Sequence, residues 1–252
     1  MKAWPLALML FACSGAPRPA PHGSIVVGHG GSGPEAPYPM NTRESAQAAM
    51  EADVNGIELD VQLSADGILV CYHDELLETL TNCTGLVNGQ FWIPTLERCT
   101  YRTDDGRFTL MALESVTNNM DSTATVILDC KLFAAGKDWT AYLDDFAGSL
   151  MDHAAKLDVP KSMIIECQVT EFLDRFPIDG SFSTFYYAKD FDDGLATATA
   201  HSYDGITISA DLITADQVAR AQARGLRVAV FGIDKVEDAA HLGADILEVD
   251  DP

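Results

Sequence analysis

The chain has 252 residues, 47 % of them hydrophobic, and a formal net charge of −22 from 38 acidic against 16 basic side chains. That composition excludes disorder, a collagen-like repeat and a small disulfide scaffold. The acidic balance argues against nucleic acid and anionic lipid as partners. An anionic substrate stays open, because a bound metal inverts the local field.

Residues 1–23 read as an address and a tether. Trp4 to Ala12 is a nine-residue apolar run, too short to span a bilayer as a helix and suited to the h-region of an export signal. Leu10-Phe11-Ala12-Cys13 resembles a bacterial lipobox. The expectation is an exported lipoprotein, anchored through a lipidated Cys13 on the periplasmic or cell-surface side of a membrane. Plain signal-peptidase cleavage further on is the alternative.

From residue 24 onward, β-rich runs alternate with helical patterns. The strands are expected at Ser24–Gly28, Gly56–Val61, Thr125–Lys131, Ser162–Cys167, Phe182–Tyr187, Gly205–Ile208, Arg227–Phe231 and Asp245–Val249. Helices are expected at Arg43–Ala52, Trp139–Leu157, Ala215–Arg224 and Val236–Leu242, with Gly225 and Gly243 just past two of them. Such alternation makes an α/β fold with a parallel sheet, and eight strands over residues 24–252 fit a (β/α)8 TIM barrel. An open doubly wound sheet is the structural alternative. Against it, Gly28-His29-Gly30-Gly31-Ser32-Gly33 is out of register with a dinucleotide fingerprint.

Two features interrupt the repeat. Asp66-Gly67 between β-type flanks predicts a two-residue hairpin turn. A long stretch, about 75–124, then reads as an inserted cap. It carries Cys83 and Cys99, sixteen apart, which form the first candidate disulfide; Cys130 and Cys167 read as buried thiols.

The hairpin points to a site. A two-residue turn pairs Ala65 with Ile68, so Asp60 faces His73, and Glu58 shares that side of the strand. His29 ends the apolar alternation of the first strand. Asp129 and Lys131 share a face in the third. Polar residues at the C-terminal ends of barrel strands are where this fold places chemistry. Glu58, Asp60 and Asp129 are oxygen ligands suited to one hard divalent cation, Mg²⁺ or Ca²⁺. His29 and His73 can exchange protons, and Lys131 can contact an anionic oxygen. This constellation suits attack on a phosphodiester. Glu166, Gln168 and Asp250 read instead as solvated strand ends. Phe231, Trp92 and Tyr72 read as core residues.

The stretches Val27-Gly28-His29-Gly30, Gly56-Ile57-Glu58-Leu59-Asp60 through Asp66-Gly67, Val70-Cys71-Tyr72-His73-Asp74 and Thr81-Asn82-Cys83-Thr84-Gly85 resemble the glycerophosphodiester phosphodiesterase family, which is related to phosphatidylinositol-specific phospholipases C. The resemblance implies that His29 and His73 are the catalytic pair. It implies that Glu58, Asp60 and the residue at Asp129 hold the metal, and that Lys131 touches the phosphate. The implied reaction hydrolyses a small-molecule glycerophosphodiester to glycerol 3-phosphate and an alcohol. Alternatives are a phospholipase D-like lyase that forms a cyclic phosphate, and a non-catalytic phosphodiester-binding lipoprotein.

Three departures stand out. Gly30 replaces the arginine that usually follows the first histidine. Pro39-Met40-Asn41-Thr42 carries Met40 in place of a glutamate, and Asp129 replaces a glutamate. Losing an arginine and a glutamate together reads as one coordinated change. Arg43 or a residue of the cap is then the candidate substitute for the phosphate contact.

Overall fold

The computed structural model describes residues 23–252, apart from 53, 105–106, 119, 121–122, 158–161 and 179. Cys13 and its lipobox therefore lie outside the described residues, as do Asp105 and Asp121. Among the described residues, no helix is long and apolar enough to cross a membrane.

In chain order the elements are β1 (Ile25–Gly28), α1 (Arg43–Glu51), β2 (Gly56–Leu63), β3 (Leu69–Cys71), β4 (Met111–Ala112), α2 (Glu114–Thr117), β5 (Thr125–Cys130), α3 (Trp139–Lys156), β6 (Ser162–Cys167), α4 (Thr170–Leu173), β7 (Ser183–Tyr187), α5 (Phe191–His201), β8 (Gly205–Ser209), α6 (Ala215–Gln222), β9 (Arg227–Ile233), α7 (Val236–Ala239) and β10 (Ile246–Val249). Strands β1, β2 and β5 to β10 pair in parallel, and β1 bonds both β10 and β2, which closes the barrel. An open sheet would leave β1 with one neighbour. The fold is the expected (β/α)8 barrel.

The outer faces of the strands pack against the helices. In α3, Tyr142, Phe146 and Leu150 recur at helical spacing and are buried, while Asp138 caps its start by accepting from the Ala141 N–H at 3.0 Å. Each such apolar side chain removed from water stabilises the fold by about 1.5–3 kcal/mol. Asp192 and Asp193 lie in the first turn of α5, where their charge suits the helix N-terminus.

Inside the barrel the side chains lie in layers contributed by alternate strands. Val27, Ile127, Ile164, Phe185, Ala229 and Ile246 form an apolar cluster toward the N-terminal ends. One step up, β2, β6, β8 and β10 contribute Glu58, Glu166, Thr207 and Glu248, all buried. Above them stand His29, Asp129, Tyr187 and Phe231, and then the mouth. The barrel interior thus changes from apolar to acidic within one strand length.

The β2–β3 hairpin differs from expectation by one residue. Leu63 pairs with Leu69 and Val61 with Cys71, so five residues, not two, make the loop. Ser64 explains the wider turn. Its N–H donates to Ile68 O at 2.9 Å, and its hydroxyl accepts from Ile68 N–H at 2.8 Å and donates to Asp66 at 2.7 Å. Asp66 also accepts from Trp92 N–H of the inserted segment at 2.9 Å. That segment has its own small core, in which Tyr72, Leu77, Val87, Leu96, Tyr101, Phe108 and Leu110 pack beside the Cys83–Cys99 disulfide. Cys71, Cys130 and Cys167 are buried free thiols.

Candidate active site

Three carboxylates converge at the C-terminal mouth. One oxygen each of Glu58, Asp60 and Asp129 lies within 4.8 Å of the others. Parallel pairing places Asp60 beside Asp129 across β2 and β5, and Glu58 one pleat deeper. An all-oxygen set of this kind fits a hard divalent cation.

The surroundings fix these oxygens. Gly30 N–H donates to Glu58 at 2.8 Å. Asn41 grips Asp60 twice: its amide donates to the carboxylate at 2.6 Å, and its carbonyl accepts from the Asp60 N–H at 2.9 Å. Asn41 holds φ +63, a left-handed conformation that asparagine tolerates better than most residues. Lys131 reaches Asp60 at 3.0 Å and Asp129 at 2.5 Å.

Packing these charges together perturbs them. Burial and the Asp60 charge push Glu58 up to about 8, against the pull of His29. Burial also raises Asp129, with Lys131 opposing it. Lys131 is held protonated: burial acts against its charge, but Asp60 and Asp129 outweigh burial. Beneath, Glu166 and Glu248 are raised well above the usual carboxyl range by burial and by neighbouring carboxylates. Thr207 donates to Glu166 at 2.7 Å, whereas Glu248 Oε1 has no hydrogen-bond partner among the described residues.

Each histidine is backed by an aspartate. His29 Nδ1 lies 2.6 Å from Asp250, and its Nε2 faces Glu58 at 4.0 Å. Burial disfavours the imidazolium, but the Asp250 hydrogen bond and the charges of Glu58, Asp250 and Asp60 together raise His29 to about 9. His73 Nδ1 lies 2.7 Å from Asp74, and the ring is near enough to Asp129 to favour its ionised form when protonated. A carboxylate accepts only, so in both pairs Nδ1–H donates and Nε2 is left for chemistry.

All six expected residues therefore gather at one mouth, but His73 arrives by another route than direct opposition to Asp60. Gln62, buried on β2, donates to the carbonyls of Tyr72 and Asp74, both at 2.8 Å. These bonds flank His73 and fold it over the site. Asp250 and Glu166 are not solvated strand ends: one bonds His29, and the other is buried. Phe231 is not a core residue; half-exposed, it stacks on Tyr187 at 5.4 Å between ring centroids. Tyr72 is core, as expected, and Trp92 packs on the cap core.

At Gly30, where the resemblance leads one to expect an arginine, a neighbouring side chain takes the space. A Cβ at Gly30 would stand 2.7 Å from Met40 Cβ and Cε, at φ +56. Met40 fills the space in which a side chain at position 30 would start. Arg43 offers no substitute, for it lines an outer groove between α1 and α2 with Ser115 and Val116.

The sequence profile described as the glycerophosphoryl diester phosphodiesterase family matches residues 29–252. The chain belongs to this family. A glycerophosphodiester phosphodiesterase of Caldanaerobacter subterraneus subsp. tengcongensis is 44 % identical over 64 residues, covering 25 % of this chain and 26 % of the relative. One from Bacillus altitudinis is 50 % identical over 50 residues, 20 % of each chain. The matched segment thus spans about a quarter of the first relative and a fifth of the second. Solved structures share the fold over most of the chain. An Oleispira antarctica phosphodiesterase in complex with the product sn-glycerol-3-phosphate has TM-score 0.79 at 19 % identity, covering 90 % of this chain and 93 % of its own. The Thermotoga maritima family member has TM-score 0.70 at 20 % identity, covering 91 % and 96 %.

Proposed function

We propose that the protein hydrolyses glycerophosphodiesters to glycerol 3-phosphate and an alcohol, with His29 and His73 as the acid–base pair and one divalent cation held by Glu58, Asp60 and Asp129. The observation that carries this reading is the convergence of three carboxylates with two aspartate-backed histidines and Lys131 at the mouth of a barrel of this family. A cation there would polarise the phosphoryl oxygen and offset the charge of the transition state.

The chain's own groups perform the rest. Lys131 orients a non-bridging phosphate oxygen. His29, held protonated by Asp250, delivers a proton to the departing alcohol oxygen. His73, oriented through Asp74, takes a proton from the attacking water. The test is ³¹P NMR of residues 24–252 with glycerophosphodiesters and lysophospholipids, with and without chelator. Chelator-sensitive glycerol 3-phosphate is the expected product. A cyclic phosphate would replace hydrolysis by attack of an internal hydroxyl, and absence of product with metal bound would leave a binding protein.

We also propose that the protein is exported and held at a membrane through a lipidated Cys13. The support is the lipobox-like Leu10–Cys13 and the Pro- and Ala-containing tether behind it. Mass spectrometry of the N-terminal peptide from the native host would show a diacylglyceryl cysteine; an unmodified N-terminus beyond Cys13 would refute the anchor.

A further inference from the structure

The site opens sideways. A cavity of about 220 Å³ runs from the cluster toward the ends of β6 and β7, lined by Asp129, Lys131, Gln168, Tyr187 and Lys189 among others. Asp129 and Tyr187 occupy the same interior layer. Lys131 and Lys189 each lie two residues further along, so they stand at one height, two strands or roughly 10 Å apart.

Lys189 is placed by rigid neighbours. Ala188 before it is buried, and its N–H bonds Thr207 O at 2.8 Å. Asp190 after it caps α5, with its carboxylate accepting from Asp193 N–H at 3.0 Å. Among the described cations, Arg98, Arg175, Arg220 and Lys235 each pair with one carboxylate. Lys131 has two. Lys189 is exposed and, among the described residues, has no ion-pair partner.

We propose that this cavity receives one arm of the phosphodiester, and that this arm carries an anionic group of its own, a carboxylate or a phosphate, held by the Lys189 amine. The inference rests on the hydrolase reading above and adds the class of arm. The Tyr187 ring in the cavity lining, taken alone, would suit a quaternary ammonium. Lys189 in the same lining repels such a cation and attracts an anion, so it supplies the discrimination.

The test compares kcat/KM of the cation-loaded protein for glycerophosphodiesters with a carboxylate arm, a phosphate arm, a neutral glycerol arm and a choline arm. The wild type should favour one or both anionic arms over choline by about tenfold or more, in KM, and the two anionic esters show which anion is preferred. Lys189→Gln should collapse that ratio toward one, and Lys189→Glu should reverse it. Equal use of anionic and choline arms by the wild type, or an unchanged ratio in Lys189→Gln, would overturn the proposal. Should no ester turn over, the hydrolase reading fails, and calorimetric binding of the carboxylate-armed ester then decides the subsite. A roughly tenfold weaker affinity in Lys189→Gln upholds it, and unchanged affinity removes it.

Discussion

His29 Nδ1 lies 2.6 Å from Asp250 Oδ1, so the histidine that follows the first barrel strand is held by the residue that follows the last. Closure of the barrel and orientation of the imidazole are one event. Asp250→Asn keeps the shape and removes the charge. We expect kcat to fall about 10²–10⁴-fold, the range for loss of an aligned acid–base group. His29, titrated by NMR, should move down from about 9. An unchanged titration would show that Asp250 does not hold it.

The metal-free protein should lose stability as pH rises. Glu58 carries a folded value near 8 against an ordinary 4.5, so between these the folded state binds the extra proton and rising pH disfavours it. His29, near 9 against 6.5, contributes stability that is full below 6.5 and lost through 9. Both act in the same direction. Scanning calorimetry from pH 5 to 9 should show Tm falling by on the order of 10 °C without cation. Millimolar Mg²⁺ or Ca²⁺ should restore most of it, and most strongly at high pH. A flat Tm across this range would contradict the assigned shifts.

Removing the Gln62 clamp should separate placement of His73 from metal binding. Gln62→Leu frees the carbonyls of Tyr72 and Asp74. We expect kcat to drop roughly 10–100-fold as His73 loses its position. Divalent affinity, measured by calorimetry, should stay within a few-fold.

Most of the barrel was legible in the sequence, because parallel strands buried on both faces read as short apolar runs and Gly225 and Gly243 mark helix ends. The site was legible where a polar residue broke such a run, as at Glu58, Asp60 and Asp129. What escaped depends on distant chain. The hairpin register is set by the Ser64 turn and by Trp92, twenty-six residues beyond Asp66, rather than by Asp66-Gly67 alone. A one-residue slip exchanges the faces of a strand, so Tyr72 rather than His73 lies opposite Asp60, and the Gln62 bonds on either side of His73 set its position instead. Asp250 meets His29 only after 221 residues of chain have closed the ring. Asn41 was visible as part of Pro39–Thr42, but its grip on Asp60 follows from its left-handed backbone.

Gly30→Arg should behave differently alone and in company. Alone, its Cβ meets Met40 at 2.7 Å, and we expect destabilisation of about 1–3 kcal/mol by chemical denaturation. Paired with Met40→Glu, the cost should be less than the sum of the single changes, with a coupling of about 0.5–3 kcal/mol. Additive effects would show that the two positions do not sense each other.

The acidic layer of Glu58, Glu166 and Glu248 stores protons beneath the mouth. Burial and mutual repulsion hold all three carboxyls above the ordinary range, so near neutral pH the layer is largely uncharged in the folded protein. A divalent cation held by Glu58, Asp60 and Asp129 would displace the Glu58 proton. Loading would then release acid to the solvent and would be favoured by rising pH.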